Sequence, residues 1–162
     1  MSRPEGGRYL EDFTPGQVIE HELGRTITDA DSIWFTLLTM NTNPMHFDAE
    51  YAKDSDFGRM LVNSCFTLSL VTGISVADIS QNAVANLQWD AVTMPAPVFA
   101  GDTIRARTEI LEVRESQSRP NAGIVKFRTI GTNQRRETVM EFERTILIYK
   151  RAHRPGVDPS AG

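Results

Sequence analysis

The chain has 162 residues, 40% hydrophobic and 23% charged, which fits one globular domain able to bury a core without disulfides or structural metal. Its 17 Lys+Arg against 21 Asp+Glu give a net charge of −4, which argues against a nucleic-acid partner, since that would call for a basic face. A single cysteine, Cys65, excludes an intramolecular disulfide and a cysteine zinc cluster, and suits a reducing cytoplasm.

Residues 1–8 are polar and Gly-containing, lack the apolar run of a secretory signal, and read as a flexible N-terminus. Pro15-Gly16 marks a turn, after which Gln17 to Thr26 reads as a first strand. Thr28-Asp29-Ala30-Asp31 has capping-box spacing with Asp in place of Glu. It opens a helix with Ile33, Trp34, Leu37 and Leu38 as its apolar positions, ending near Met40. The turn formers Asn41 to Pro44 follow, then a helical turn over Asp48 to Lys53. Val62 to Ile79 reads as a long buried helix; its Ser, Thr and Asn content makes the stretch too polar for a membrane span. Strands follow at Val84 to Met94, Thr103 to Glu115, Ile124 to Thr132 and Thr138 to Arg151. In the last, Met140, Phe142, Ile146 and Ile148 share one face, with Arg144 as the exception. Helices followed by a run of strands point to an α+β fold with an antiparallel sheet, spanning residues 9–151, with 152–162 a flexible tail.

Reactive chemistry concentrates in Asn41-Thr42-Asn43-Pro44-Met45-His46-Phe47-Asp48, a Pro-containing loop between two helices. An imidazole can take and give a proton near neutral pH, so His46 is either an acid–base group or a helix-capping side chain. Asp48 reads as the N-cap of the turn that follows it. His21 and His153 have no metal-ligand spacing, and no metal is expected. Cys65 reads as a buried structural thiol, Trp34 and Trp89 as core or dimer-interface residues, and Thr72 as a hydroxyl bonded to its own helix.

Asn43-Pro44-Met45-His46-Phe47-Asp48, with Tyr51-Ala52 and Phe57-Gly58 after it, resembles the N-P-x-H-x-D signature of MaoC-like and R-specific enoyl-CoA hydratases. Met94 to Asp102, containing Pro97-Val98-Phe99-Ala100-Gly101-Asp102, is similar to the family's P-V-F-x-G-D strand entry. The resemblance covers about Tyr9 to Tyr149 and implies a single hot-dog domain, an antiparallel sheet wrapped around a long central helix, paired as a homodimer or a dimer of dimers. It also implies a cytoplasmic hydro-lyase that acts on a CoA thioester as substrate, with no cofactor, no nucleic acid and no membrane.

In the family an Asp and a His five residues apart hold the reacting water. Here His46 matches the histidine, but the acid position falls on Asn41, which can orient water but cannot take its proton. The resemblance assigns the oxyanion donor to the backbone N–H of Ser64 at the start of the central helix. Candidate substrate-binding residues are Asn43, Asn63 and Arg59, the last facing a carboxylate, a phosphate or solvent. The wider run Phe35 to Phe47 is similar to the branch that includes mesaconyl-CoA and itaconyl-CoA hydratases, whose substrates are short, branched and dicarboxylic. The competing readings are a straight-chain R-specific enoyl-CoA hydratase, a catalytically silent subunit of a hetero-oligomer, and an acyl-CoA thioesterase.

Overall fold

The computed structural model describes residues 6–153, so residues 1–5 and 154–162 of the two expected tails lie outside the described residues. Within the N-terminal tail expected to be flexible, Arg8 is buried and donates from Nη1 to the Asp78 carbonyl at 3.0 Å.

Four long strands carry the sheet: β3 (Ala83–Thr93), β4 (Thr103–Glu115), β5 (Ala122–Thr132) and β6 (Thr138–Tyr149). Two short strands, β1 (Val18–Glu20) and β2 (Arg25–Thr26), both pair with β4. The order is β1-β4-β5-β6-β3, antiparallel throughout, and β3 lies at one edge. Three helices precede the run of long strands: α1 (Asp29–Leu38), α2 (Ala49–Lys53) and α3 (Ser64–Ser75), the last continued by a π-helical turn over Val76–Ser80. Helix α3 packs on one face of β4, β5 and β6. At Gly131 of β5 the approach is close: an added Cβ would sit 2.6 Å from Val71 Cγ2. Glycine there lets helix and sheet meet.

Alternation on β6 follows the sequence, with Met140, Phe142, Ile146 and Ile148 all buried. Arg144 is buried among them at 1% exposure, 5.3 Å from the Trp89 ring centroid and 4.9 Å from that of Phe127. Burial alone lowers its pKa to about 10. The opposite face carries an ion-pair ladder, Lys126 and Arg128 to Glu143 at 2.8 and 2.9 Å and Arg128 to Glu141 at 3.4 Å.

Four expectations change. The single strand expected over Gln17 to Thr26 splits into β1 and β2, because His21 turns into the core, its Nδ1 against Asp78 Oδ2 at 2.9 Å and its Nε2 against Thr108 Oγ1 at 2.8 Å. Helix α1 keeps its capping box, Thr28 Oγ1 accepting from the Asp31 N–H, but its buried residues are Ser32 and Thr36. Trp34 lies two residues on from Ser32, so helical geometry turns it outward, and it is 67% exposed. Trp89, on the edge strand, is 38% exposed, so of the two readings, core or dimer interface, the core one is excluded for both tryptophans. Cys65, expected to be buried, is exposed in the first turn of α3. Among the described residues no helix is long and apolar enough to cross a membrane.

Asp102 closes the loop before β4. Its carboxylate accepts from the Phe99 N–H at 3.0 Å, from Gln134 Nε2 at 2.8 Å and from Arg135 Nη1 at 3.2 Å. Burial is the largest influence and pushes its pKa up, but these hydrogen bonds and the Arg135 charge together outweigh it and hold the carboxyl below its ordinary range. A folded-state value below the unfolded one gives stability that is present above the unfolded pKa and lost as pH falls through the folded value. Asp102→Ala should therefore cost about 1–3 kcal/mol at neutral pH by urea unfolding. The gap from wild type should narrow below about pH 4; a gap that stays constant into acid would contradict this role.

Candidate active site

The loop between α1 and α2 braces itself. Met40 adopts a left-handed φ of 58° and turns the chain out of α1. Asn41 Oδ1 accepts from the Asn43 N–H at 3.0 Å, and Asn43 Oδ1 accepts from the Met45 N–H at 3.1 Å. These two Asx turns lead into one 3₁₀ turn, Pro44–His46, whose Pro44 carbonyl accepts from the Asp48 N–H at 2.8 Å. Asp48 then caps α2 through Oδ1 to the Tyr51 N–H at 3.0 Å, as its position in the sequence indicates.

Two hydrogen bonds tie this loop to the segment entering α3. The Leu61 N–H donates to the Met45 carbonyl at 3.2 Å, and His46 Nδ1 lies 2.8 Å from the Leu61 carbonyl. A carbonyl can only accept, so Nδ1 carries a proton and, in the neutral ring, Nε2 is the bare acceptor. His46 is half-buried, in a hollow lined also by Asp29, Ser32, Met60, Leu61, Val62 and Ala100.

From Leu61 the chain runs directly into the α3 N-terminus. Val62 N–H donates to the Val98 carbonyl at 2.9 Å, which ties the entry of α3 to the second sequence motif. Asn63 is the N-cap, its Oδ1 accepting from the Cys65 N–H at 2.9 Å. Expected as a substrate contact, Asn63 is instead buried, with Nδ2 donating to Thr36 Oγ1 at 3.1 Å and its backbone N–H to Ser32 Oγ at 3.2 Å. Ser64 is the first residue of the helix and is exposed, lining a cleft of about 300 Å³. Its backbone N–H belongs to the first turn, where amides have no intrahelical acceptor and the helix dipole favours negative charge. The cleft is mostly apolar, walled by Phe57, Pro95, Pro97, Val98, Val139 and Met140. The second motif thus forms a wall of the cleft, and its Asp102 fixes the loop that follows.

Arg59 is exposed and sits over the Phe99 ring, its guanidinium carbon 3.8 Å from the ring centroid. Phe99 meets Phe57 of the cleft edge-on at 6.1 Å, which sets Arg59 beside the cleft. Asp29 shares one hollow with Arg59 and another with His46. The sequence places Asp29 in the capping-box stretch, and Ser32 and Thr36 were overlooked. Their i, i+4 spacing as a polar stripe on α1 was the available signal. Thr72 Oγ1 bonds the Leu68 carbonyl of its own helix at 2.8 Å. Among the described residues no three His, Cys, Asp or Glu side chains gather to hold a metal.

An antiparallel sheet closed on a long helix, with a braced histidine loop against that helix's free end, defines a hot-dog domain of the dehydratase type. The sequence profile of the MaoC like domain matches residues 12–132, and the chain belongs to this family. It is 32% identical over 149 residues to the mesaconyl-CoA hydratase of Cereibacter sphaeroides, covering 92% of this chain and 43% of that protein. A solved MaoC domain protein from Chloroflexus aurantiacus superposes with a TM-score of 0.86 at 30% identity, over 100% of this chain and 44% of that one. A conserved Mycobacterium tuberculosis protein with a double hotdog fold matches with a TM-score of 0.83 at 21% identity, over 98% of this chain and 49% of that one. The chain spans less than half the length of these three proteins.

The Leu61 contact yields a direct expectation for His46. Nitrogen-15 NMR of the neutral imidazole should give the Nδ1–H tautomer, with Nε2 unprotonated. A dominant Nε2–H form would remove Nε2 as a proton acceptor.

Proposed function

We propose that this domain adds water across the 2,3-double bond of an enoyl-CoA, and that its substrate is short, branched and dicarboxylic, of the mesaconyl-CoA or itaconyl-CoA type. The observation that carries the reading is the pinned His46, with Nδ1 on the carbonyl of Leu61, in the segment that enters α3, and Nε2 left to accept a proton.

In this reading a water donates one proton to His46 Nε2, while Asn41 Nδ2 donates to a lone pair of the water oxygen. As that oxygen bonds to C3, the π electrons of the double bond move through C2 to the thioester oxygen. The Ser64 N–H stabilises the charge that develops there. His46 then returns its proton to C2 on the same face, so addition is syn and the ring ends neutral. An amide cannot take the proton at neutral pH, so Asn41 orients the water and proton transfer falls to His46 alone.

Arg59, over the Phe99 ring beside the cleft, supplies a fixed cation for the second carboxylate of a dicarboxylic acyl group. The mesaconyl-CoA hydratase relative and the run Phe35 to Phe47 support the same substrate class. Edge strand β3 exposes Leu87, Trp89 and Val92, an unpartnered apolar edge that supports association of two copies.

Purified protein mixed with a panel of enoyl-CoAs should remove the conjugated enoyl absorbance without releasing free thiol; thiol release would mark a thioesterase. His46→Ala should lower turnover by roughly 10²–10⁴-fold with folding intact, and near-native turnover would remove His46 from the chemistry. Loss of a charge-assisted pair is worth about 1.5–3 kcal/mol, so Arg59→Ala should weaken mesaconyl-CoA by roughly tenfold or more. Crotonyl-CoA should be little affected. Equal losses on both substrates would take Arg59 off the second carboxylate.

A further inference from the structure

Helix α1 turns two hydroxyls towards the start of α3, beside Phe35, which meets Phe66 of α3 edge-on at 5.6 Å. Ser32 and Thr36 are its buried residues, while Trp34, Leu37 and Leu38 are exposed. Burying polar groups between two helices is costly unless each is hydrogen-bonded, so what these hydroxyls hold is informative. Both hold Asn63. Ser32 Oγ accepts from its backbone N–H, and Thr36 Oγ1 accepts from its Nδ2. With Nδ2 on Thr36, Oδ1 points at the Cys65 N–H and caps α3, since the backbone amide can only donate.

Thr36 makes a second connection through its backbone. Its carbonyl accepts from the Asn41 N–H at 3.0 Å and from Thr39 Oγ1 at 3.2 Å. One fully buried residue thus touches both halves of the site. Its side chain reaches the cap that orients the α3 N-terminus, and its carbonyl anchors the start of the loop that carries Asn41 and His46.

We infer that Thr36 is a positioning residue for the reaction, setting the register between the Asn41–His46 loop and the Ser64 N–H through its bonds to Asn41 and Asn63. The inference rests on the hydratase reading above. Thr36→Val keeps the shape but removes the acceptor, leaving Asn63 Nδ2 buried without a partner. The amide is then free to turn, the Cys65 cap loosens, and the Ser64 N–H loses its fixed aim. A donor used mainly in the transition state affects kcat more than KM. A displacement of order 1 Å costs on the order of 10²-fold, so kcat should fall by about 10- to 100-fold while KM changes by less than about threefold. Thr36→Ser, which restores the hydroxyl, should recover most of the loss. Thr36→Ala should act in the same direction and serves if the valine variant does not fold.

The deciding test pairs steady-state kinetics on the preferred enoyl-CoA with amide hydrogen exchange on the same variants. In Thr36→Val the Cys65 amide should exchange at least tenfold faster, while core amides of β5 and β6 keep wild-type protection. Unchanged kcat in a folded Thr36→Val, or an equal loss in Thr36→Ser, overturns the inference. Uniform loss of protection across β5 and β6 also overturns it, because Thr36 would then be merely structural. A wild type inert on every enoyl-CoA defeats the hydratase reading instead. Cys65 exchange then still decides whether Thr36 holds the cap, with unaltered exchange refuting it.

Discussion

His46 donates from Nδ1 to a backbone carbonyl, and that carbonyl belongs to Leu61, a short step before the central helix begins. Because the Leu61 N–H returns a bond to Met45, loop and helix entry are fastened at two points. The ring can neither rotate nor change tautomer without breaking a bond, so its other nitrogen is kept as an acceptor. The same segment bonds Val98 through the Val62 N–H, which brings in the second motif as the wall of the cleft. Proton acceptor, helix-end donor and apolar wall therefore share one short stretch of backbone, and a shift in that stretch moves all three.

Local choices around this stretch favour geometry over maximal apolar burial. An α1 packed through Trp34, Leu37 and Leu38 would bury more apolar surface, yet the helix presents Ser32 and Thr36 to Asn63. On the sheet, Arg144 occupies a position where β6 alternation calls for an aliphatic residue, and its Nε and Nη2 lack hydrogen-bond partners among the described residues. The Trp89 and Phe127 rings flank the guanidinium, a weaker solvation than water provides. Arg8, Asp78, His21, Thr108 and Thr129 form another buried polar thread that ties the first strand to the end of the central helix. These groups are satisfied mostly by one another, which specifies a single arrangement more sharply than apolar contacts would.

Much of this was legible in the sequence because it is local. The capping box at Thr28, the Asp48 cap and the span of β4 follow from neighbouring residues alone, and each holds in the structure. The loop from Asn41 to Asp48 stood out because its amides, proline and imidazole lie within a few positions. Less legible was whatever depends on distant partners. The Leu61 acceptor is a backbone atom, so no side-chain pattern marks it. The buried side of α1 was misread because apolar periodicity does not reveal that Asn63 waits across the interface for two hydroxyls. His21 broke the first strand for the same reason, its partners Asp78 and Thr108 being far along the chain. Asn63 itself resembled a ligand contact in sequence, but its Oδ1 caps α3 locally and the packing of α1 takes up its Nδ2 on Thr36.

The most direct test of the account follows the oxygen atom. The protein is incubated with an enoyl-CoA in water enriched in heavy oxygen, and the products are read by mass spectrometry. If the His46 loop and the α3 N-terminus form a hydratase centre, the label appears in the C3 hydroxyl of a product that retains its CoA thioester. Label in a released carboxylate, accompanied by free CoA, would instead mean that water attacks the thioester and would contradict the account.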